Sequence, residues 1–180
     1  MKSIIIMATM LEAKSAIEEF GFVEVGGFKY LTFKNESKYL VISDMGLDCA
    51  RDCANYVCEN FDFDEMLNIG ACGALSKEVS FMQILEPKSF VKADALEKPK
   101  EAPVLLSYHE TICLDSQRQK YAKIADIVDM EAYELKQVCD KYNKNFRAIK
   151  YVSDFSENCK INENIRNMRD CLNHQKKLWI

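Results

Sequence analysis

Apolar and polar positions come in blocks that switch period along the chain. SIIIMA, from Ser3, is a short β-branched run suited to a buried strand, and LEAKSAIEEFGF after it carries helix formers up to Gly21, a helix stop. FKYLTFKNESKYLVISDMG holds two strand-like runs around Asn35, Glu36 and Ser37, which predicts a hairpin. Leu47, Ala50, Ala54, Val57 and Phe61 then recur at spacings of three and four, so this block is a helix burying one side. DEMLNIGACGALS reads as a short strand running into small residues and glycines, where backbone can come close to a ligand.

The second half is less regular. FMQILEPKSFVKADAL reads as a strand pair or a bent strand, and EKPKEAP as a charged surface loop or a deletion scar. Val104 to Leu114 has room for a pair of short strands, and QRQKYAKIA for a helical turn or loop. IADIVD is strand-like, and Ala132, Leu135, Cys139 and Tyr142 repeat at three, four and three, predicting another amphipathic helix. FRAIKYVSD is a late strand, and NENIRNMRDCLNHQKKLW closes the chain as a helix. Strands alternating with helices over 180 residues predict one α/β domain, residues 1–180, built on a mostly parallel or mixed sheet.

Composition narrows the partners. The net charge is −4 and the lysines and arginines are scattered, so the basic stripe that nucleic acid requires is missing. The first residues have only a short apolar run before Glu12, with no cleavage pattern, so neither a signal peptide nor a membrane span is expected there, and the protein is expected in the cytoplasm. Eight cysteines form no CxxC pair and have only His109 and His174 as further ligands, so no metal site is expected and the thiols are expected to be reduced.

In sheets of this kind ligands collect beyond the carboxyl ends of strands. Polar residues stand at such ends: Glu12 after the first strand, the IGACGA turn, Asp129 and Glu131 ahead of a helix, and Ser153 with Asp154 ending the last strand. Taken singly, Glu12 reads as a helix-start charge that suits the helix dipole, and Asp154 as the cap of a turn. Glu131 follows an apolar run that predicts partial burial, and a buried carboxylate needs partners. Asp129, two residues earlier, would share its side on extended chain, as a structural or a surface charge.

Four motifs in order, MATMLEA, LNIGACGAL, VDMEAYELKQVC and AIKYVSD, resemble the purine nucleoside phosphorylase and 5′-methylthioadenosine/S-adenosylhomocysteine nucleosidase superfamily. The resemblance covers roughly residues 1–90 and 110–180. It implies a three-layer phosphorylase/nucleosidase-like fold, a central mixed sheet flanked by helices, shortened in the middle between Leu85 and Asp129. By the same resemblance, Asp154 is the general acid that protonates the purine N7, a role that needs partial burial of its carboxyl. Glu131 accepts hydrogen bonds from the ribose hydroxyls, Met130 packs on the sugar, and Glu12 activates the attacking water. Ala71 and Ser153 are placed with them at the substrate. Ala71 stands where phosphate-using relatives carry a hydroxyl residue, and MATMLEAKS has no arginine, so hydrolysis is expected over phosphorolysis. CLDSQRQ offers no aromatic residue where relatives stack one on the purine. The implied substrate is a purine nucleoside, such as a 5′-substituted adenosine. Phosphorolysis, or a degenerate protein that binds nucleosides without turnover, remains the alternative. The resemblance implies no metal or organic cofactor and a homo-oligomer, most simply a dimer.

Overall fold

The computed structural model describes residues 2–156, so the helix expected from residue 162 lies outside the described residues. In chain order the elements are β1 (Ser3–Met7), α1 (Met10–Glu19), β2 (Val23–Glu24), β3 (Thr32–Lys34), β4 (Tyr39–Ile42), α2 (Leu47–Asn60) and β5 (Glu65–Ala74). After them come β6 (Ile84–Leu85), β7 (Ser89–Val91), β8 (Val104–Ser107), α3 (Asp115–Tyr121), β9 (Ile127–Asp129), α4 (Ala132–Lys141) and β10 (Asn145–Asp154). The sheet runs β2-β3-β4-β1-β5-β9-β8-β7, with β10 paired to β5 and β6. It is mixed: β1 is parallel to β4 and β5, and β9 is antiparallel to β5.

Side-chain alternation builds the layers. Ile5 and Met7 of β1 pack with Leu40, Leu67 and Ile149 beneath Ala13 and Ala16 of α1. Ile4 and Ile6 point the other way, toward Ala50, Cys53 and Val57 of α2 and Leu135 and Val138 of α4. Helices therefore cover both faces, the three-layer arrangement that the family resemblance implies. The hairpin forms as expected between β3 and β4, its turn held by the Asn35 side-chain oxygen accepting from the Ser37 and Lys38 N–H groups at 3.0 and 2.9 Å.

Three details differ from the sequence reading. Between Val104 and Leu114 there is one strand, not two: β8 ends at Ser107, and the chain then runs to α3, seven residues of helix where a helical turn or a loop is expected. The DEMLNIGACGALS segment is a ten-residue strand, β5, because β10 pairs its small residues as far as Gly73 and β9 takes over at Gly73 and Ala74. Finally, Cys113 is disulfide-bonded, whereas Cys49, Cys53, Cys58, Cys72 and Cys139 are free. Spacing along a chain cannot show which sulfurs the fold brings within bonding reach.

The site is made possible by β5. Its partner β10 takes one edge from Glu65 to Gly73. On the other edge β1 pairs only residues 65–68, and β9 only Gly73 and Ala74. Residues 69–72 therefore lie in a gap between two strands, with backbone groups free to meet side chains.

Candidate active site

A cavity of about 90 Å³ opens at this gap. Its walls include Glu12, Ala71, Met130, Glu131, Ser153 and Asp154, so the structure brings every residue singled out in the sequence to one place. Among the described residues, none of those that wall it is aromatic. The cavity shares Ala8 and Met45 with a wider cleft of about 470 Å³ walled by Met10, Tyr30 and Leu31. The cavity alone is smaller than a nucleoside-sized site, roughly 300–1,000 Å³. Together with the cleft it falls in that range.

Glu12 is not the solvated helix-start charge that its position suggests in isolation, since only 7% of it is exposed. It is the third residue of α1 and closes a capping box: its Oε2 accepts from the Thr9 N–H and the Thr9 hydroxyl, both at 3.0 Å, and its own N–H donates to Thr9 Oγ1 at 3.3 Å. Its Oε1 accepts from the Ala71 N–H at 3.0 Å, one of the backbone groups released in the β5 gap. A Cβ on Gly70 would stand 3.0 Å from that oxygen and 3.6 Å from Lys150 Nζ, so a bare glycine lets the two approach.

Glu131 occupies the N-cap position of α4 but makes no cap bond. The first turn is satisfied by others: the Ala132 N–H donates to Asp129 Oδ2 at 3.0 Å and the Tyr133 N–H to the Ser107 hydroxyl at 2.8 Å. This frees the Glu131 carboxylate, whose Oε1 accepts from the Gly46 N–H at 3.0 Å and Oε2 from the Met130 N–H at 3.3 Å. Gly46 has φ +105, a conformation that glycine supplies at little cost, and it begins α2. The N-terminal ends of α2 and α4 therefore meet at one carboxylate. Burial pushes the Glu131 carboxyl up to about 8, Asp129 and Glu12 add to the rise, and Lys150 and the Gly46 N–H oppose it.

Asp129, read from the sequence as either structural or a surface charge, is buried. It accepts from the Ser107 hydroxyl and is ion-paired with Lys150 Nζ at 2.8 Å, both side chains being 1% exposed. Burial acts to lower the Lys150 ammonium, but Asp129, Glu131 and Glu12 outweigh it and hold the group above its ordinary value.

Asp154 ends β10 half-buried, after an irregularity in which Val152 pairs with Cys72 and Asp154 with Gly73. The extra residue, Ser153, is a bulge that re-aims the strand end toward the cavity. Asp154 Oδ2 accepts from the Ser153 hydroxyl at 2.8 Å and Oδ1 from the Ser156 N–H at 2.6 Å. The turn-cap reading of Asp154 is thus correct as far as it goes, since it both caps its turn and lines the cavity. Gly73 permits this turn: a Cβ there would lie 2.3 Å from the Ser156 hydroxyl and 3.2 Å from Asp154 Oδ1. Gly73→Ala should therefore dislodge Ser156 and overpack the site, lowering stability by roughly 1–3 kcal/mol. Urea unfolding at wild-type stability would refute the crowding.

Sequence reasoning missed Lys150, Ser107, Thr9 and Gly46. Two signals were present. T-x-x-E at Thr9 to Glu12 is a capping box. Lys150, inside the apolar run AIKYVSD, sits where a buried strand would force a carboxylate partner.

Among the described residues no three His, Cys, Asp or Glu side chains are grouped to hold a metal ion, and no helix is long and apolar enough to cross a membrane. No family model matches the chain, and no curated protein matches it. Solved structures do. An Asp→Asn variant of the Helicobacter pylori nucleosidase with 5′-methylthioadenosine in its active site superposes at a TM-score of 0.81, with 15% identity over 98% of each chain. The 5′-methylthioadenosine/S-adenosylhomocysteine nucleosidase of Neisseria meningitidis, in complex with methylthio-immucillin-A, gives 0.79 with 16% identity over 95% of each chain. Futalosine hydrolase of Helicobacter pylori gives 0.79, again with 16% identity over 95% of each chain. The chain thus has the α/β fold of these nucleosidases, a mixed sheet with helices on both faces.

Proposed function

We propose that the protein hydrolyses the N-ribosidic bond of a purine nucleoside, with a 5′-substituted adenosine such as methylthioadenosine or S-adenosylhomocysteine as the substrate class. The observation that carries this reading is the convergence of Glu12, Glu131 and Asp154 on the one cavity at the gap in β5. Cleavage of such a bond builds positive charge on the sugar and negative charge on the base, so a site needs an acid at the base and carboxylates around the sugar. As the C1′–N9 bond breaks, its electron pair passes to the purine and Asp154 delivers a proton to N7. Glu131 accepts hydrogen bonds from the ribose hydroxyls, and Met130 packs against the ring. Water attacks C1′ and gives its proton to Glu12. Ala71 and Ser153 wall the cavity between these groups, and Ser153 also orients Asp154.

The folds of two kinds of nucleoside hydrolase, superposed over nearly the whole chain, support the reading. Water as nucleophile is favoured because, among the described residues, no arginine lines the cavity, while a phosphate dianion calls for such donors. The wider cleft beyond Ala8 and Met45 gives a 5′ substituent room. A homodimer in the cytoplasm belongs to the same reading, two-fold pairing being the commonest soluble assembly.

Chromatography of free base after incubation with methylthioadenosine, S-adenosylhomocysteine, adenosine and inosine, each with and without phosphate, tests it. Phosphate-independent release is the expected result. Release only with phosphate would make the protein a phosphorylase, and nucleoside-dependent thermal stabilisation without release would make it a binding protein.

A further inference from the structure

Lys150 is a costly residue. It lies in the middle of β10, 1% exposed, behind the cavity wall rather than on it. A buried ion pair is commonly no better for stability than two apolar side chains of similar volume. The Lys150–Asp129 pair therefore calls for a reason other than stability, and its surroundings supply one. Glu12 arrives from α1, Asp129 from β9 and Glu131 from the head of α4, all at most 7% exposed; Lys150 Nζ stands 2.8 Å from Asp129, and the Cβ that Gly70 lacks would lie between it and Glu12, 3.6 Å from Nζ and 3.0 Å from Glu12 Oε1. Asp154 of β10 and the Cys72 thiol of β5 stand on the same wall. The Gly46 N–H at the start of α2 completes the shell around Glu131.

We propose that Lys150 is a positioning residue: clamped by Asp129 and out of reach of substrate, its ammonium offsets the crowded carboxylates, so that Glu131 can be ionised beside Glu12 when a ribose is bound. The inference rests on the proposed nucleoside reading for its purpose, but not for its test. Asp129 has the opposite effect on Glu131, being an anion, and is needed to hold the ammonium in place. The pair is a fixed dipole set behind the reacting carboxylates, and removing its two ends singly must move Glu131 in opposite directions.

The test is the carboxyl titration of Glu131, followed by ¹³C NMR in protein labelled at glutamate and assigned with Glu131→Gln, in parallel with the pH profile of kcat/KM for base release. Lys150→Met should move the Glu131 midpoint up by roughly one to three pH units, the range for one adjacent charge. Asp129→Asn should move it down, and Lys150→Arg should keep it near the wild-type position. If Lys150→Met does not fold, the double variant Lys150→Met/Asp129→Asn, which removes the whole pair, should titrate above Asp129→Asn alone. A midpoint unmoved by either end of the pair, or moved the same way by both, would overturn the proposal, since a merely structural lysine changes stability without this sign reversal. Expected titrations in a protein that releases no base would leave the electrostatic role standing and remove the proposed reaction. Active enzyme with unmoved titrations would do the reverse.

Discussion

Asp154→Asn should slow base release by about 10²–10⁴-fold, the usual contribution of a positioned general acid, while the thermal midpoint stays near that of the wild type. The substitution keeps the shape of the side chain. Asparagine Oδ1 can still accept from the Ser156 N–H, and its amide nitrogen can face the Ser153 hydroxyl, which accepts as well as donates. What is lost, on the proposed mechanism, is the transferable proton. Leaving-group departure then puts unneutralised negative charge on the purine, and the barrier rises. Isothermal titration with methylthioadenosine should show that the variant still binds. Turnover at the wild-type rate would remove Asp154 from the reaction and leave it only the turn that it caps.

Glu131→Gln should cost about 10²-fold or more in kcat/KM. Two ribose hydroxyls donating to a carboxylate are charge-assisted bonds worth about 1.5–3 kcal/mol each, and each ~1.4 kcal/mol is tenfold. The loss should depend on pH, because the free protein holds a proton on Glu131 up to about 8. Wild-type kcat/KM should therefore climb as pH rises toward 8, and the gap between wild type and variant should narrow as pH falls. Stability should run the other way. A carboxyl raised in the folded state keeps its full stabilising contribution below the ordinary 4.5 and loses it as pH rises through about 8. Glutamine has nothing to lose over that window, so Glu131→Gln should gain in thermal midpoint relative to wild type between pH 5 and pH 9. A gap in stability that is flat with pH would mean that Glu131 is not held protonated.

These two residues also show how far the sequence reaches. Asp154 and Glu131 could be picked out because each stands at or just beyond the end of a strand whose apolar run is visible in one dimension, and because their motifs resemble, in order, those of the nucleosidase superfamily. Period alone separates SIIIMA from the helix after it, and the spacing of Leu47, Ala50, Ala54 and Val57 marks the face that α2 buries. The second strand between Val104 and Leu114 failed because short apolar runs carry little periodic signal, and only Val104–Ser107 finds partners, in β7 and β9.

The amino-acid order by itself determined the alternation of strands and helices, the hairpin around Asn35, and which carboxylates and small residues stand at strand ends. Those follow from local period and turn chemistry, which act over a few neighbouring residues. Only the tertiary structure decided what surrounds each carboxylate. Glu12 meets the Ala71 N–H because β1 leaves β5 after Asn68 and β9 arrives at Gly73. Lys150 meets Asp129, 21 residues away in number, and Gly46 meets Glu131 across 85 residues. Register sets these contacts, and a shift of one residue turns each strand side chain to the opposite face. Charge, burial and proton affinity at the cavity depend on those distances, so they belong to the fold and not to any stretch of the chain.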